Sequence, residues 1–171
     1  MTWASQKPVI FLSGKISDQQ IAYLDQTLGQ IQFSSPSLII PSLTTAAKPS
    51  RIKEEKEGSV QSSIRFGLPA ISRSHPDYFH FSVMNTVLGG YFGSRLQKNI
   101  REDKGFTYGI SSSLAPYPRG GYWVVGTDVN GENVEATLAE IKKEIQILQY
   151  DLVPHQELDI VKSYLMGSFT G

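Results

Sequence analysis

The residues best suited to chemistry in this sequence are an arginine and a tyrosine seven positions apart. Arg101 lies near the C-terminal end of a short predicted helix, and Tyr108 lies on the predicted strand that follows a chain reversal at Gly105. This arrangement can bring a guanidinium and a phenol towards one point outside the strand. Because both groups donate hydrogen bonds, together they suit a peptide carbonyl or the oxyanion formed when that carbonyl is attacked.

A purely structural role for Arg101 and Tyr108 is also consistent with their seven-residue spacing. In that alternative Arg101 pairs with Glu102 or Asp103 at a helix C-terminus, where a positive charge is favourable, and Tyr108 packs inward. Spacing alone favours this alternative over a binding role.

The three histidines do not form a metal-binding pattern. His75 and His80 are five residues apart, which places them about 140° apart around a helix, whereas helical zinc ligands are three or four residues apart. His155 precedes Glu157 by two residues, and neither HExxH nor HxxEH occurs. The chain also has no cysteine and no G-x-S-x-G motif. We therefore predict no metal site, no cofactor and no catalytic triad within this chain.

Composition excludes several further classes of protein. The 171 residues include 16 Lys plus Arg and 16 Asp plus Glu, a balance that argues against nucleic-acid binding. The absence of cysteine excludes disulfide scaffolds and Cys-ligated metal sites. The longest apolar runs are far shorter than the roughly 20 residues of a membrane span. The compartment stays open, with the cytoplasm or periplasm expected if the source is bacterial.

The elements that must position Arg101 and Tyr108 follow from hydrophobic periodicity and helix-start signals. Capping boxes are predicted at Ser17 with Gln20, Ser74 with Asp77, and Ser94 with Gln97. Phe106, Tyr108 and Ile110 are predicted to share one strand face. The predicted order begins with a strand at 8–13, a helix behind Ser17 and a long flexible surface connection at 34–58. A strand at 60–68 follows, then a buried helix at 78–88 that stops at Gly89-Gly90, and a short helix. The remaining elements are strands at 106–110 and 121–129 and helices at 134–148 and 158–165.

This mixture of strand pairs and helix pairs predicts an α+β fold. We expect one two-layer domain over residues 1–171, with helices packed on one face of a mainly antiparallel or mixed sheet. Strands 106–110 and 121–129 are joined by a short link and should pair antiparallel.

A longer motif around Arg101 and Tyr108 resembles a known family. The stretch GGYFGSRLQKNIREDKGFTYGISSS, with the HPDYFHFSVMNTVLGG helix before it, is similar to the C-terminal, non-zinc-binding domain of pitrilysin/insulinase-type metallopeptidases. This family includes the mitochondrial processing peptidase and the core proteins of the cytochrome bc1 complex. The resemblance covers most of the chain, and its Gly-Ser-Arg-Leu and Arg-x-x-x-x-Gly-x-x-Tyr core is the most specific part.

The resemblance implies one repeated domain of a clamshell protease. A different domain of such enzymes carries an HxxEH zinc motif, and the facing domain supplies an Arg and a Tyr, which Arg101 and Tyr108 match. The implied roles are that Arg101 holds a substrate carbonyl and Tyr108 assists the zinc in stabilising the tetrahedral oxyanion. Substrate, a peptide or unfolded protein, would add as a strand to a sheet edge.

The zinc ligands are missing from this chain, so the resemblance also implies partners. Zinc is expected in another domain, in cis or on a partner subunit, and this chain alone should not hydrolyse peptides. The sequence is expected to be a fragment that stops early and lacks an upstream domain. An alternative from another class is a non-proteolytic structural or assembly module, as the bc1 core proteins are. The presence of both Arg101 and Tyr108 favours the protease interpretation.

Overall fold

The computed structural model describes residues 9–31, 48–118 and 120–170, with the side chains of 169 and 170 excepted. The chain divides into two compact units, residues 1–42 and 43–171. Residue 8 of the predicted first strand and residues 34–47 of the predicted connection lie outside the described residues. Residues 48–58, the remainder of that connection, contain neither helix nor strand.

The described part of the first unit is a short helix with a defined start. Helix α1 spans Asp18–Thr27 and is followed by a 3₁₀ turn, Leu28–Gln30. The Ser17 hydroxyl accepts the Gln20 N–H at 3.4 Å, and the Gln20 side chain accepts the Ser17 N–H at 2.9 Å. The capping box predicted at Ser17 is confirmed.

The strand predicted at 8–13 is wrong over its described residues. Residues 9–13 form no ladder, and all of them are exposed. An apolar run specifies a preference for burial, but a strand also needs a neighbour for its backbone hydrogen bonds. No described strand pairs with this run.

The second unit is built on a three-stranded antiparallel sheet. Strands β1 (Gln61–Ala70), β2 (Ile110–Tyr117) and β3 (Gly120–Asn130) are arranged in the order β1-β3-β2. Thr127 of β3 lies opposite both Ile64 and Ile110, so the inward faces of the three strands coincide. The antiparallel pairing predicted for the last two strands is confirmed.

The central strand places its apolar residues on the helix side of the sheet. Successive side chains of a strand point to opposite faces, and in β3 every second residue from Trp123 to Val129 is buried. The buried core that these residues share with the helices consists of Leu88, Leu96, Ile100, Ile110, Trp123, Val125 and Ile141.

Helices cover that face of the sheet. Helix α2 (Tyr78–Asn85) continues into a π-helical turn, Thr86–Gly90, and a second π-helical segment spans Gln97–Asp103. Helices α3 (Val134–Tyr150) and α4 (His155–Thr170) follow β3. The predicted α+β two-layer fold and the two C-terminal helices are confirmed. Among the described helices, none combines the length and apolar character needed to cross a membrane.

The capping boxes predicted at Ser74 with Asp77 and at Ser94 with Gln97 are wrong, because neither pair makes the reciprocal hydrogen bonds. Asp77 precedes α2 without a side-chain cap, and its N–H donates to His75 Nδ1 at 3.1 Å. The hydroxyl of Ser94 is buried and has no hydrogen-bond partner among the residues that the structure describes. Gln97 donates instead to the Ile110 carbonyl of β2, at 2.7 Å. A tertiary partner therefore replaces the local cap at Gln97, and a neighbouring histidine replaces it at Asp77.

A buried polar network fastens the end of α2 to the sheet. The Asn85 side chain accepts the Trp123 indole N–H at 2.8 Å and donates to the Ser112 carbonyl at 3.3 Å. The Ser112 hydroxyl donates to the Asn85 carbonyl at 3.0 Å. This network brings the π-helical turn so close to β2 that a Cβ on Gly89 would lie 2.6 Å from the Ser112 nitrogen. Gly89, part of the predicted helix stop, therefore also permits a close approach of the two backbones.

A bidentate ion pair joins α4 to the chain just before the second π-helical segment. Arg95 Nε and Nη2 donate to the two carboxylate oxygens of Glu157 at 2.8 and 2.7 Å, and the side chains are only 16% and 25% exposed. The hydrogen bonds from Arg95 hold the pKa of Glu157 below its ordinary value of 4.5, against the opposing effect of burial. Because the folded pKa is the lower one, the stabilisation is complete above pH 4.5 and is lost as pH falls through the folded value.

We expect Glu157→Gln to lower the free energy of unfolding at pH 7 by about 2 kcal/mol, since Arg95 loses its charged partner in a mostly buried site. The deficit should shrink as the pH falls from 4.5 towards the lower folded pKa of Glu157. Urea unfolding at pH 7 and pH 3 measures both quantities. Asp159→Asn, an exposed change on the same helix, is the matched control. A deficit that is equal at both pH values would contradict the assignment.

Candidate functional site

The segment that carries Arg101 is tied to two elements, β2 and α3. Gln97 ties it to β2 through the Ile110 carbonyl. The Asn99 side-chain nitrogen lies 2.9 Å from a Glu140 oxygen and 2.6 Å from a Glu144 oxygen, both on α3. The hydrogen bond from Asn99 is the largest cause that lowers the pKa of Glu140. Arg101 therefore projects from a rigid support, in one of the π-helical segments that often mark functional sites.

Arg101 stacks on an aromatic ring and, within the described part of the chain, pairs with no carboxylate. Its guanidinium carbon lies 4.3 Å from the centroid of the Phe92 ring. Among the described ion pairs none joins Arg101 to Glu102 or Asp103. The predicted alternative, a structural ion pair at the helix end, is therefore wrong.

The chain reverses after this segment as the sequence predicts. Gly105 adopts a left-handed conformation with φ of +64°, which a glycine accommodates without a Cβ clash. The Phe106 N–H then donates to the Ile100 carbonyl at 3.0 Å, which closes the helix end. The reversal leads directly into the segment that carries Tyr108.

Tyr108 does not share a strand face with Phe106 and Ile110, so that prediction is wrong. Strand β2 begins only at Ile110, and Tyr108 is 94% exposed. The cause is a turn fixed by Thr107, whose hydroxyl donates to the Asp128 carbonyl at 2.8 Å and accepts the Gly109 N–H at 3.1 Å. Thr127 adds a hydroxyl 2.9 Å from the Gly109 carbonyl. With both neighbours of Tyr108 tied to β3, the phenol is directed to solvent rather than inward.

The two predicted site residues therefore share one property, which is unused hydrogen-bonding capacity. Within residues 9–31, 48–118 and 120–168, neither the Arg101 guanidinium nor the Tyr108 phenol makes a hydrogen bond or an ion pair, to each other or to another group. A guanidinium carries five N–H donors and a phenol one O–H. These donors remain available for a ligand.

The histidines do not offer a site for zinc. The Nδ1 atoms of His75 and His80 lie 3.8 and 3.7 Å from oxygens of one carboxylate, Asp77. His75 Nδ1 already accepts an amide N–H. In the described part of the chain, no group of three or more His, Asp or Glu side chains could hold a metal ion. The donor set of a catalytic zinc, three protein ligands and an open position, is therefore not assembled by these residues.

Sequence reasoning missed Phe92 and Asn99. Phe92 lies in the glycine-rich stretch between α2 and the Arg101 segment, where the sequence predicts only a helix stop at Gly89-Gly90. The signal that could have identified it is a bulky aromatic residue between two glycine-containing turns, where no core position is expected. Asn99 gave no such signal, because its carboxylate partners lie more than 40 residues away in sequence.

Comparison with known proteins agrees with this architecture. A solved structure described as a peptidase M16 inactive domain from Pseudomonas fluorescens matches 92% of this chain and 38% of that chain, with a TM-score of 0.69 and 28% identity. A protease from Helicobacter pylori matches with a TM-score of 0.71 over 92% of this chain and 39% of that chain; at 18% identity that likeness shows the fold alone.

Curated relatives extend the comparison beyond the fold. The chain is 27% identical to a Bacillus subtilis protein called uncharacterized zinc protease YmxG, over 97% of this chain and 40% of that protein. It is 29% identical to a Helicobacter pylori protein called non-peptidase homolog YmxG, over 95% of this chain and 38% of that protein. The chain thus spans about two fifths of the length of these relatives. The family model described as the peptidase M16 inactive domain matches residues 3–165. Since this match covers nearly the whole chain, the protein belongs to the peptidase M16 inactive-domain family.

Proposed function

We propose that this chain is the substrate-binding, non-zinc domain of a zinc metalloendopeptidase. In this proposal Arg101 binds a carbonyl of the peptide, and Tyr108 donates a hydrogen bond to the oxyanion of the tetrahedral intermediate. The observation that carries the proposal is that both donors are free among the described residues: Tyr108 is 94% exposed, and Arg101 is stacked on Phe92 without a carboxylate partner there.

The chemistry of each residue suits its proposed role. Stacking uses the flat face of a guanidinium, so the N–H groups, which lie in its plane, stay free to bind a carbonyl. A phenol that donates to a developing oxyanion stabilises the transition state more than the ground state, which is the requirement for catalysis. Neither role requires recognition of a particular substrate side chain. The substrate class is therefore a peptide or an unfolded protein.

The zinc of the proposed enzyme resides on another domain, in cis or on a partner subunit. When bound there it would polarise the scissile carbonyl and lower the pKa of a bound water. The residues described here contribute binding and oxyanion stabilisation only, and this chain alone is inactive. The name of the Bacillus subtilis relative, an uncharacterized zinc protease, supports this proposal. We refer below to this chain together with its zinc-bearing domain or subunit as the complete assembly.

A second candidate is a non-proteolytic structural or assembly module that shares the fold. The observation that favours it is the name of the Helicobacter pylori relative, a non-peptidase homolog that is 29% identical over 95% of this chain. In such a module the exposed Tyr108 would contact a partner protein rather than a peptide.

Crosslinking from position 108 separates the two candidates. In the complete assembly, Tyr108→p-benzoylphenylalanine should crosslink on illumination to fluorescein-labelled casein, an unfolded polypeptide. The same replacement at Tyr150, which is also exposed on this unit, should not. Crosslinks from position 108 to a folded partner alone, with no labelled casein captured, would support the structural module and contradict the protease proposal.

A further inference from the structure

We propose that Phe92 is a positioning residue that fixes the guanidinium plane of Arg101 for binding a peptide carbonyl. The inference rests on the proposed function of Arg101 and adds a residue that acts through it. Its basis is the stacked contact, in which the guanidinium carbon lies 4.3 Å from the ring centroid. Arginine stacks on aromatic faces both as a cation and as a planar group.

Packing in the hydrophobic core does not account for the position of the Phe92 ring. It is 65% exposed and lies outside the apolar cluster beneath the sheet. A large apolar side chain at such a position gains little from burial. Among the described residues, the side chain that contacts the face of the Phe92 ring is Arg101.

The loop around Phe92 is fixed, so the ring itself is held in place. On one side Tyr91 packs its ring 5.2 Å from that of Tyr164 on α4, and burial raises the pKa of Tyr91. A Cβ on Gly93 would lie 2.8 Å from the Tyr91 ring, so that glycine permits the tight turn. On the other side Arg95 is anchored to Glu157. Phe92 therefore stands between two anchored residues.

An aromatic partner suits a binding arginine better than a carboxylate does. A bidentate carboxylate, as Glu157 provides for Arg95, occupies the N–H donors that a ligand would need. A ring orients the guanidinium through its face and leaves those donors free. The contrast between these two arginines, six residues apart, matches a structural role for Arg95 and a binding role for Arg101.

The test compares Phe92→Leu with Phe92→Tyr in the complete assembly, using dye-quenched casein as substrate. Phe92→Leu keeps an apolar side chain but removes the ring, and we expect KM to rise roughly threefold to tenfold, the range of a cation–π contact. Phe92→Tyr should restore the original KM, because it keeps the aromatic face. In this chain alone, the Arg101 Hδ proton resonances should shift in the NMR spectrum of Phe92→Leu and return in Phe92→Tyr.

A double-mutant cycle decides whether Phe92 acts through Arg101. Added to Arg101→Ala, Phe92→Leu should cause no further rise in KM and no further loss of turnover. An equal rise in KM in both backgrounds, failure of Phe92→Tyr to restore KM, or unmoved Arg101 resonances would each overturn this inference alone. Turnover that is unaffected by Arg101→Ala would overturn the proposed function, and this inference with it.

Discussion

Tyr108→Phe is expected to lower peptide turnover by the complete assembly by roughly 10²-fold or more, which is the scale of losing one oxyanion donor. The substitution removes one hydroxyl and keeps the ring. Because the side chain is 94% exposed and makes no described hydrogen bond, the change should leave the free energy of unfolding of this chain unaltered. A loss of turnover would therefore report chemistry rather than folding.

The matched control is Tyr150→Phe, which removes the same hydroxyl from another exposed tyrosine of the same unit. Its turnover should equal that of the unsubstituted protein. The oxyanion role of Tyr108 would be untenable if both variants lost turnover to the same extent. Steady-state rates with dye-quenched casein provide the comparison.

Gly89→Ala is expected to have the largest effect on stability, lowering the free energy of unfolding by about 3 kcal/mol. The added Cβ would lie 2.6 Å from the backbone nitrogen and 2.8 Å from the hydroxyl of Ser112. A strand backbone cannot move aside as a flexible side chain can. The end of α2 must then lift from β2, which weakens the hydrogen bonds of Asn85 to Ser112 and Trp123.

Gly109→Ala is the control for this clash. A Cβ at Gly109 meets nothing within 4 Å, and its φ is not in the left-handed region. Urea unfolding should give a midpoint near that of the unsubstituted protein for Gly109→Ala and a much lower one for Gly89→Ala. Equal midpoints would show that the approach of α2 to β2 is not as tight as described.

Elements with strong periodicity could be predicted from the sequence. Helix α3 repeats apolar residues at three and four positions, and its Ile141 is fully buried. Strand β3 alternates between buried and outward-facing residues, and its pairing with β2 followed from the short link between them. In these cases local pattern and tertiary environment favour the same structure.

Predictions failed where a distant partner decides the outcome. The capping pattern at Ser94 and Gln97 is locally sound, but Gln97 binds the Ile110 carbonyl of β2 instead. The alternation from Phe106 to Ile110 suggested one strand face, yet the Thr107 hydroxyl is held by the Asp128 carbonyl, 21 residues away. Contacts of this kind leave no periodic signal in the sequence.

The residues of the candidate site could be predicted from the sequence, but the contacts around them could not. Arg101 and Tyr108 were identified from donor chemistry and from the family resemblance, and their roles stay predictions. The packing alternative for both residues proved wrong, since Arg101 stacks on Phe92 and Tyr108 faces solvent. The contact between Phe92 and Arg101 could not be predicted, because nothing in the spacing of residues 92 and 101 links them.

The most direct measurement is turnover of dye-quenched casein by Arg101→Ala and Tyr108→Phe assemblies, with bound zinc determined in the same preparations. If this domain supplies substrate and oxyanion contacts to a composite site, each variant should lose roughly 10²-fold or more in turnover. The zinc content of both should equal that of the unsubstituted protein. Unchanged turnover in both variants, at unchanged zinc content, would contradict the account.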